Sequence, residues 1–402
     1  MSADTAVLAP SARRRLFWAA CGGMFVFGIV LAVLGVLFGL PEMRERVDAN
    51  LAQQGEIFLM LFLGVFVSTL ITGPIFDNFG SKTVLASSAA IVTAALVAFS
   101  VARSFPAAAF AALALGFGGG GLNTAANALI ADLYAEERGA MLNYLGMFFG
   151  FGALFIPLLA AMITNVLSIS QLLIVAASLA FASALAYVLL PFPPPRESAG
   201  FSIFASIAAS RRHPGVMLFA VLLFFQSGNE SAIGGWTSTY VGSTGASPQV
   251  ATWILAGYWA ALMVGRLVSA RFVGTIGKER LVLISAIGSA AGAAMLWLSQ
   301  SMTMLAVGAV IVGLSFAAIY PTTLAMAADR YQRNAGTIFG LLFAVGLLGG
   351  MLFPWALGHI SQAAGVRSGM VLPLIGAAMI TILVIAISRR ATRAGSKAAQ
   401  PT

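Results

Sequence analysis

Residues 16–40 read LFWAACGGMFVFGIVLAVLGVLFGL, an unbroken run without one charged side chain. A helix rises 1.5 Å per residue, so this run is about 37 Å long and crosses a hydrocarbon layer of roughly 30 Å. Arg13, Arg14 and Arg15 stand just before it. The run is too long for the h-region of a secretory signal. It is expected to stay in the mature chain as the first membrane span.

The same reading extends outward. Apolar runs predict spans at 16–40, 54–77, 83–102, 106–131, 139–164, 170–191, 215–242, 248–273, 281–299, 302–328, 336–364 and 368–388. Of the 402 residues, 60% are hydrophobic and 9% are charged, against roughly 25% charged in a soluble domain. Such a chain cannot hide its apolar surface from water, so its solvent is the lipid bilayer and its fold class is an all-α membrane protein. The single cysteine, Cys21, excludes an intrachain disulfide, and the two histidines, His213 and His359, exclude a His-rich metal site. There is no His-Glu-x-x-His zinc motif and no Gly-x-Ser-x-Gly elbow. The run Gly118–Gly121 lacks the Gly-Lys-Ser/Thr of a phosphate loop. Neither an enzyme nor a cofactor is expected. The net charge of +9 reads as basic loops rather than as nucleic-acid binding.

Those loops set the orientation. Twelve spans put 18 of the 22 Lys and Arg on the side of the termini and 4, namely Arg44, Arg46, Arg103 and Arg367, on the other. By the positive-inside rule both termini are cytoplasmic, and a bacterial inner membrane is the expected location. An internal repeat follows. At an offset of 197 residues, Gly80 meets Gly277, Gly116 meets Gly313, and Asp132-Leu133-Tyr134 meets Asp329-Arg330-Tyr331. Gly139 meets Gly336, and Pro157 meets Pro354. The chain therefore divides into a six-helix half at 1–191, a cytoplasmic linker at 192–214 opening on Pro193-Pro194-Pro195, and a second six-helix half at 215–402. Two parallel halves place a solute site near the midplane between them.

Between the second and third spans lies Gly73-Pro74-Ile75-Phe76-Asp77-Asn78-Phe79-Gly80-Ser81-Lys82. It resembles the G-x-x-x-D-x-x-G-x-[R/K] signature of the major facilitator superfamily. The segment Glu136-Glu137-Arg138-Gly139 is similar to that superfamily's loop between helices 4 and 5. In the second half, Gly274 stands where Asp77 would repeat, while Arg266, Gly277 and Lys278 remain. The resemblance implies two pseudo-symmetric six-helix bundles and a functional monomer. It also implies conformational latch roles for Asp77, Gly80, Lys82, Asp132, Arg138 and Arg266. Within the superfamily, Ser227-Gly228-Asn229-Glu230 followed by Gly234-Gly235-Trp236 looks like helix 7 of the fucose/glucose permease branch. That narrower resemblance implies a sugar as solute, with a proton or sodium as coupling ion. Spans 1 and 4 carry no acidic residue in their interiors, unlike the proton-coupled fucose permease type.

An ionisable side chain in hydrocarbon costs several kcal/mol unless it faces a cavity or a partner. Glu230 is about sixteen residues into its predicted span and marks the midplane. Gln226, Glu230, Ile233, Thr237 and Tyr240 recur every three or four residues and share one helix face. Amide, carboxylate, hydroxyl and phenol groups suit a polyhydroxylated ligand. Glu230 is the expected ligand-binding and coupling carboxylate. Asn229, Gln226, Asn123, Asn127, Trp236, Tyr320 and Trp259 are the other expected solute contacts. For Asn123 and Asn127, hydrogen bonding between helices competes with that role. Trp and Tyr near span ends read as interfacial anchors. The expected activity is alternating-access transport of a small polar solute, a monosaccharide. Export of amphipathic drug-like compounds or small organic anions stands as the alternative, and a non-transporting membrane sensor ranks below both.

Overall fold

The structure is a computed structural model that describes residues 10–163, 168–194, 215–331 and 335–398. The expected linker, from 195 onward, lies outside the described residues. The first half holds α1 (Pro10–Leu37), α2 (Pro41–Val47), α3 (Leu51–Val101), α4 (Phe105–Leu133), α5 (Arg138–Ile163) and α6 (Ile169–Leu189). The second holds α7 (Gly215–Ser243), α8 (Pro248–Ile276), α9 (Lys278–Leu298), α10 (Met302–Arg330), α11 (Ala335–Ala364), α12 (Val366–Gly369) and α13 (Val371–Ala398). No strand occurs among the described residues.

Eleven of these segments are long and apolar enough to cross a membrane. One of them, α3, has 51 residues, about 76 Å of helix and so two crossings. The break falls at Gly80, whose φ of 77° and ψ of 167° leave the helical region. Only glycine takes such a conformation without strain. The five-residue loop expected at 78–82 is thus a single-residue kink. Helix starts follow the local sequence. Asn50 and Gln53 form a capping box at α3, Ser168 and Gln171 form another at α6, and Ser247 accepts from the Val250 amide at α8.

The repeat is visible in the backbone. Gly277, the partner of Gly80 at the offset of 197, also has a positive φ of 87°. Tyr134 ends α4 at φ −128°, ψ 55°, and Tyr331 ends α10 at φ −130°, ψ 46°. Pro157 and Pro354 both lie inside helices, α5 and α11. A Cβ on Gly116 would strike the Leu61 carbonyl, and one on Gly313 would strike the Tyr258 carbonyl. Leu61 and Tyr258 are themselves one repeat apart. Small residues at these crossings let backbones touch, which is how helices associate where lipid removes the hydrophobic drive.

The outer surface is apolar at helical spacing: Ile174, Phe181, Leu185 and Val188 are exposed along α6, as are Ile284 and Ile287 on α9. This stripe faces hydrocarbon. Twelve crossings put both termini on one face. On the opposite face the halves meet closely. Gly55 of α3 packs on Gly358 of α11, and Gly35 of α1 packs on Gly234 of α7. The Leu51 amide donates to Gln362 Oε1 (3.0 Å), Gln249 Nε2 to the Ala161 carbonyl (3.2 Å), and Thr239 Oγ1 to the Phe38 carbonyl (3.1 Å). His359 Nε2 lies 3.8 Å from Glu56 Oε1.

Two of the four basic residues on that face cap helices. Arg46 donates to the Phe99 and Ser100 carbonyls in the last turn of α3 and to Ser170 Oγ at 2.8 Å. Arg367 donates to the Trp297 and Leu298 carbonyls at the end of α9. Cations at a helix C-terminus meet unpaired carbonyls and the negative end of the dipole. Burial lowers the pKa of Arg46 from its ordinary value, and the Glu42 carboxylate works against that shift.

Candidate functional site

Glu230 lies midway along α7, a helix of 29 residues. Its side chain is partly exposed, whereas Gln226 and Asn229 beside it are fully buried. Gln226, one turn earlier on the same helix face, donates Nε2 to the Phe316 carbonyl at 3.4 Å. Tyr258 of α8 donates its hydroxyl to the Glu230 carbonyl at 3.4 Å. Tyr320 of α10 lies within electrostatic reach of the same carboxylate and packs against Gly346 and Phe343 of α11. Glu230, Gln226 and Tyr320, three of the expected contacts, are therefore brought together.

Arg266 joins them, which the sequence reading did not expect. Its charge acts on Glu230 and on Tyr258. The predicted eighth span, 248–273, contained Arg266, but the resemblance to the superfamily implied a cytoplasmic latch role for it. In the structure α8 runs on to Ile276, because no residue before Gly277 breaks it. Arg266 is about ten residues, or roughly 15 Å, from that end, close to mid-membrane. Its guanidinium carbon sits 5.3 Å from the centre of the Phe149 ring on α5, a cation–π contact between the halves. Phe149 in turn packs on Phe27 of α1, ring centres 5.5 Å apart.

The first half adds Asn123 and Asn127. Asn127 Nδ2 donates to Asn123 Oδ1 (3.1 Å) and to the Asn123 carbonyl (2.8 Å), and it approaches Met24 Sδ at 3.8 Å. Met24 is one turn from Phe27, so the pair lies next to the Phe27–Phe149–Arg266 stack.

Three expected contacts stand elsewhere. The Asn229 side chain packs against Gly376 of α13, and both of its polar atoms are buried without partners. It faces the interior of the second half, a third of a turn from Glu230. Trp236 stacks on Phe58, which meets Phe38, forming an aromatic cluster toward the opposite face. Trp259 lies over Gly234 with Tyr258 against its edge. The indole Nε1 atoms of Trp236 and Trp259 are buried without partners.

Asp77, Gly80 and Lys82 lie at the kink in the middle of α3, and Asp132 and Arg138 at the ends of α4 and α5, on the termini-bearing face. Across the same face of the second half, Lys278 Nζ bonds Asp329 Oδ2 at 2.5 Å, tying α9 to α10. Arg13 packs 3.8 Å over the Tyr134 ring there. No group of three or more His, Cys, Asp or Glu side chains able to hold a metal occurs among the described residues.

A family model described as Major Facilitator Superfamily matches residues 20–243 and 219–402. The sodium-dependent glucose transporter 1 of Xenopus laevis is 22% identical over 361 residues, covering 83% of this chain and 73% of its own length. A mutant of the nucleoside transporter NupG superposes with a TM-score of 0.78 at 14% identity, covering 94% of this chain and 99% of that one. A partially occluded, inward-open xylose transporter XylE from E. coli gives 0.76 at 14% identity over 94% and 98%.

Proposed function

This chain belongs to the Major Facilitator Superfamily, is a multi-pass membrane transporter rather than an enzyme, and from that premise we propose that it carries a polyhydroxylated solute of monosaccharide size by alternating access. The observation that carries the reading is the mid-membrane group of Glu230, Gln226, Tyr258 and Tyr320. It gathers hydroxyl, amide and carboxylate groups where a solute would pass between the halves. Such groups hydrogen-bond a sugar from several directions at once. The similarity to a sodium-dependent glucose transporter supports the same solute class. Glu230 is the coupling carboxylate in this reading, binding the solute in one charge state and a proton or sodium in exchange. The termini-bearing face is cytoplasmic, so the tight glycine contacts at Gly55–Gly358 and Gly35–Gly234 seal the external side. Rocking of the halves would open that seal and close the latch residues Asp77, Lys82, Asp132 and Arg138 on the inner side.

The test is uptake of radiolabelled hexoses and pentoses into proteoliposomes, comparing the native protein with Glu230→Gln. Uptake of at least one sugar that falls at least tenfold in the variant, with folding intact, is expected. Unchanged uptake and unchanged ion dependence would remove Glu230 from the mechanism.

A further inference from the structure

The site holds a cation that a neutral sugar does not require. Arg266 stands near mid-membrane, where a charge persists only if something answers it. The guanidinium carbon lies over the Phe149 ring, 5.3 Å from its centre. The in-plane N–H edge of a guanidinium is the part of arginine that grips a carboxylate with two parallel hydrogen bonds. The Nε atom is buried and has no hydrogen-bond partner. No ion pair within 4.0 Å joins Arg266 to Glu230 among the described residues. The Arg266 guanidinium nevertheless lies within electrostatic reach of the Glu230 carboxyl. The site thus presents a guanidinium and, apart from it, a carboxyl, with the hydroxyl and amide groups of Tyr258, Tyr320 and Gln226 nearby.

We infer that the solute carries a carboxylate as well as hydroxyl groups, in the manner of a sugar acid, and that Arg266 binds the carboxylate while Glu230 and Gln226 bind hydroxyls. The inference rests on the transport reading above and narrows its solute class. A neutral sugar offers Arg266 only hydroxyl oxygens, which are weaker acceptors than a carboxylate. Arg266 and Phe149 come from opposite halves, so a solute on Arg266 would also sit against the first half.

The experiment measures binding to the full-length protein in lipid nanodiscs, using two matched pairs: D-glucuronate against D-glucose, and D-galacturonate against D-galactose. At least one acid is expected to bind ten or more times tighter than its neutral counterpart. Arg266→Gln should cut that preference to within twofold. Arg266→Lys keeps the charge but loses the fork, and should reduce the preference threefold or more even if the Gln variant fails to fold. Equal or tighter binding of the neutral sugars overturns this inference and leaves the sugar reading standing. A preference that survives both substitutions also overturns it. Silence from all four probes overturns both readings together.

Discussion

At the residue scale, the site was legible where counting depth along a helix was enough. Glu230 stood out because a carboxylate sixteen residues into an apolar span needs a cavity or a partner. Arg266 obeyed the same logic and lay inside the predicted span at 248–273, but the resemblance to the superfamily gave it a latch role on the cytoplasmic side instead. Asn229 shows the other limit. Its neighbourhood in the chain is that of Glu230, yet a 100° step around the helix turns it toward Gly376. Asn229→Ala is therefore expected to leave the KM for the transported solute within about twofold. Gln226→Ala, which removes an amide from the carboxylate, is expected to raise it about tenfold, the equivalent of one hydrogen bond of about 1.4 kcal/mol to a charged group. Equal effects in a proteoliposome uptake assay would contradict that assignment. Two glycines near the end of α8 give opposite signs for one substitution. Both have open space where a Cβ would go, but Gly277 has a φ of 87°. Gly277→Ala should lower stability by about 1–2 kcal/mol through backbone strain alone. Gly274→Ala lies inside α8, where alanine favours the helix, and should raise stability by up to about 1 kcal/mol. Thermal unfolding in detergent reads both.

At the element scale, the spans and the repeat were readable because membrane helices must satisfy every backbone group internally and must be long. What the sequence did not reveal was short and polar. The helix α2, Pro41–Val47, lies in a stretch read as a loop, and it exists to carry Arg46 to the carbonyl ends of α3. No periodicity marks a seven-residue helix. The same contact explains an apparent exception to the charge rule, because Arg46 and Arg367 are held on the minority side by helix ends that need cations. Arg46→Ala should destabilise the first half by about 1–2 kcal/mol, from lost hydrogen bonds at the C-terminus of α3. Full retention of melting temperature would show that α2 docks without it. Between the halves, Gly35 touches Gly234 so closely that no larger side chain fits. Gly35→Val is expected to hold the halves apart on that face. The measurement is reaction of a cysteine placed at Ser238 with a membrane-impermeant maleimide, which should rise several-fold. Ser238 is fully buried in the present arrangement.

At the scale of the whole molecule, the proposed cycle rocks two rigid halves about the Glu230 site, so that a solute meets one face at a time. Among the described residues, the contacts that close the face opposite the termini include glycine-to-backbone packing, the Phe58–Trp236 ring contact, three hydrogen bonds and one 3.8 Å His–Glu approach. The most direct measurement is a pair of inter-half distances by double electron–electron resonance, in a background with the buried Cys21 replaced by alanine. One spin-label pair, Asn78 with Thr275, reports the termini-bearing face, and the other, Glu45 with Val250, reports the opposite face. Across solute concentrations the two distance distributions should shift in opposite senses, one face closing as the other opens. Shifts of the same sign, or none at either face while solute is transported, would contradict alternating access about this site.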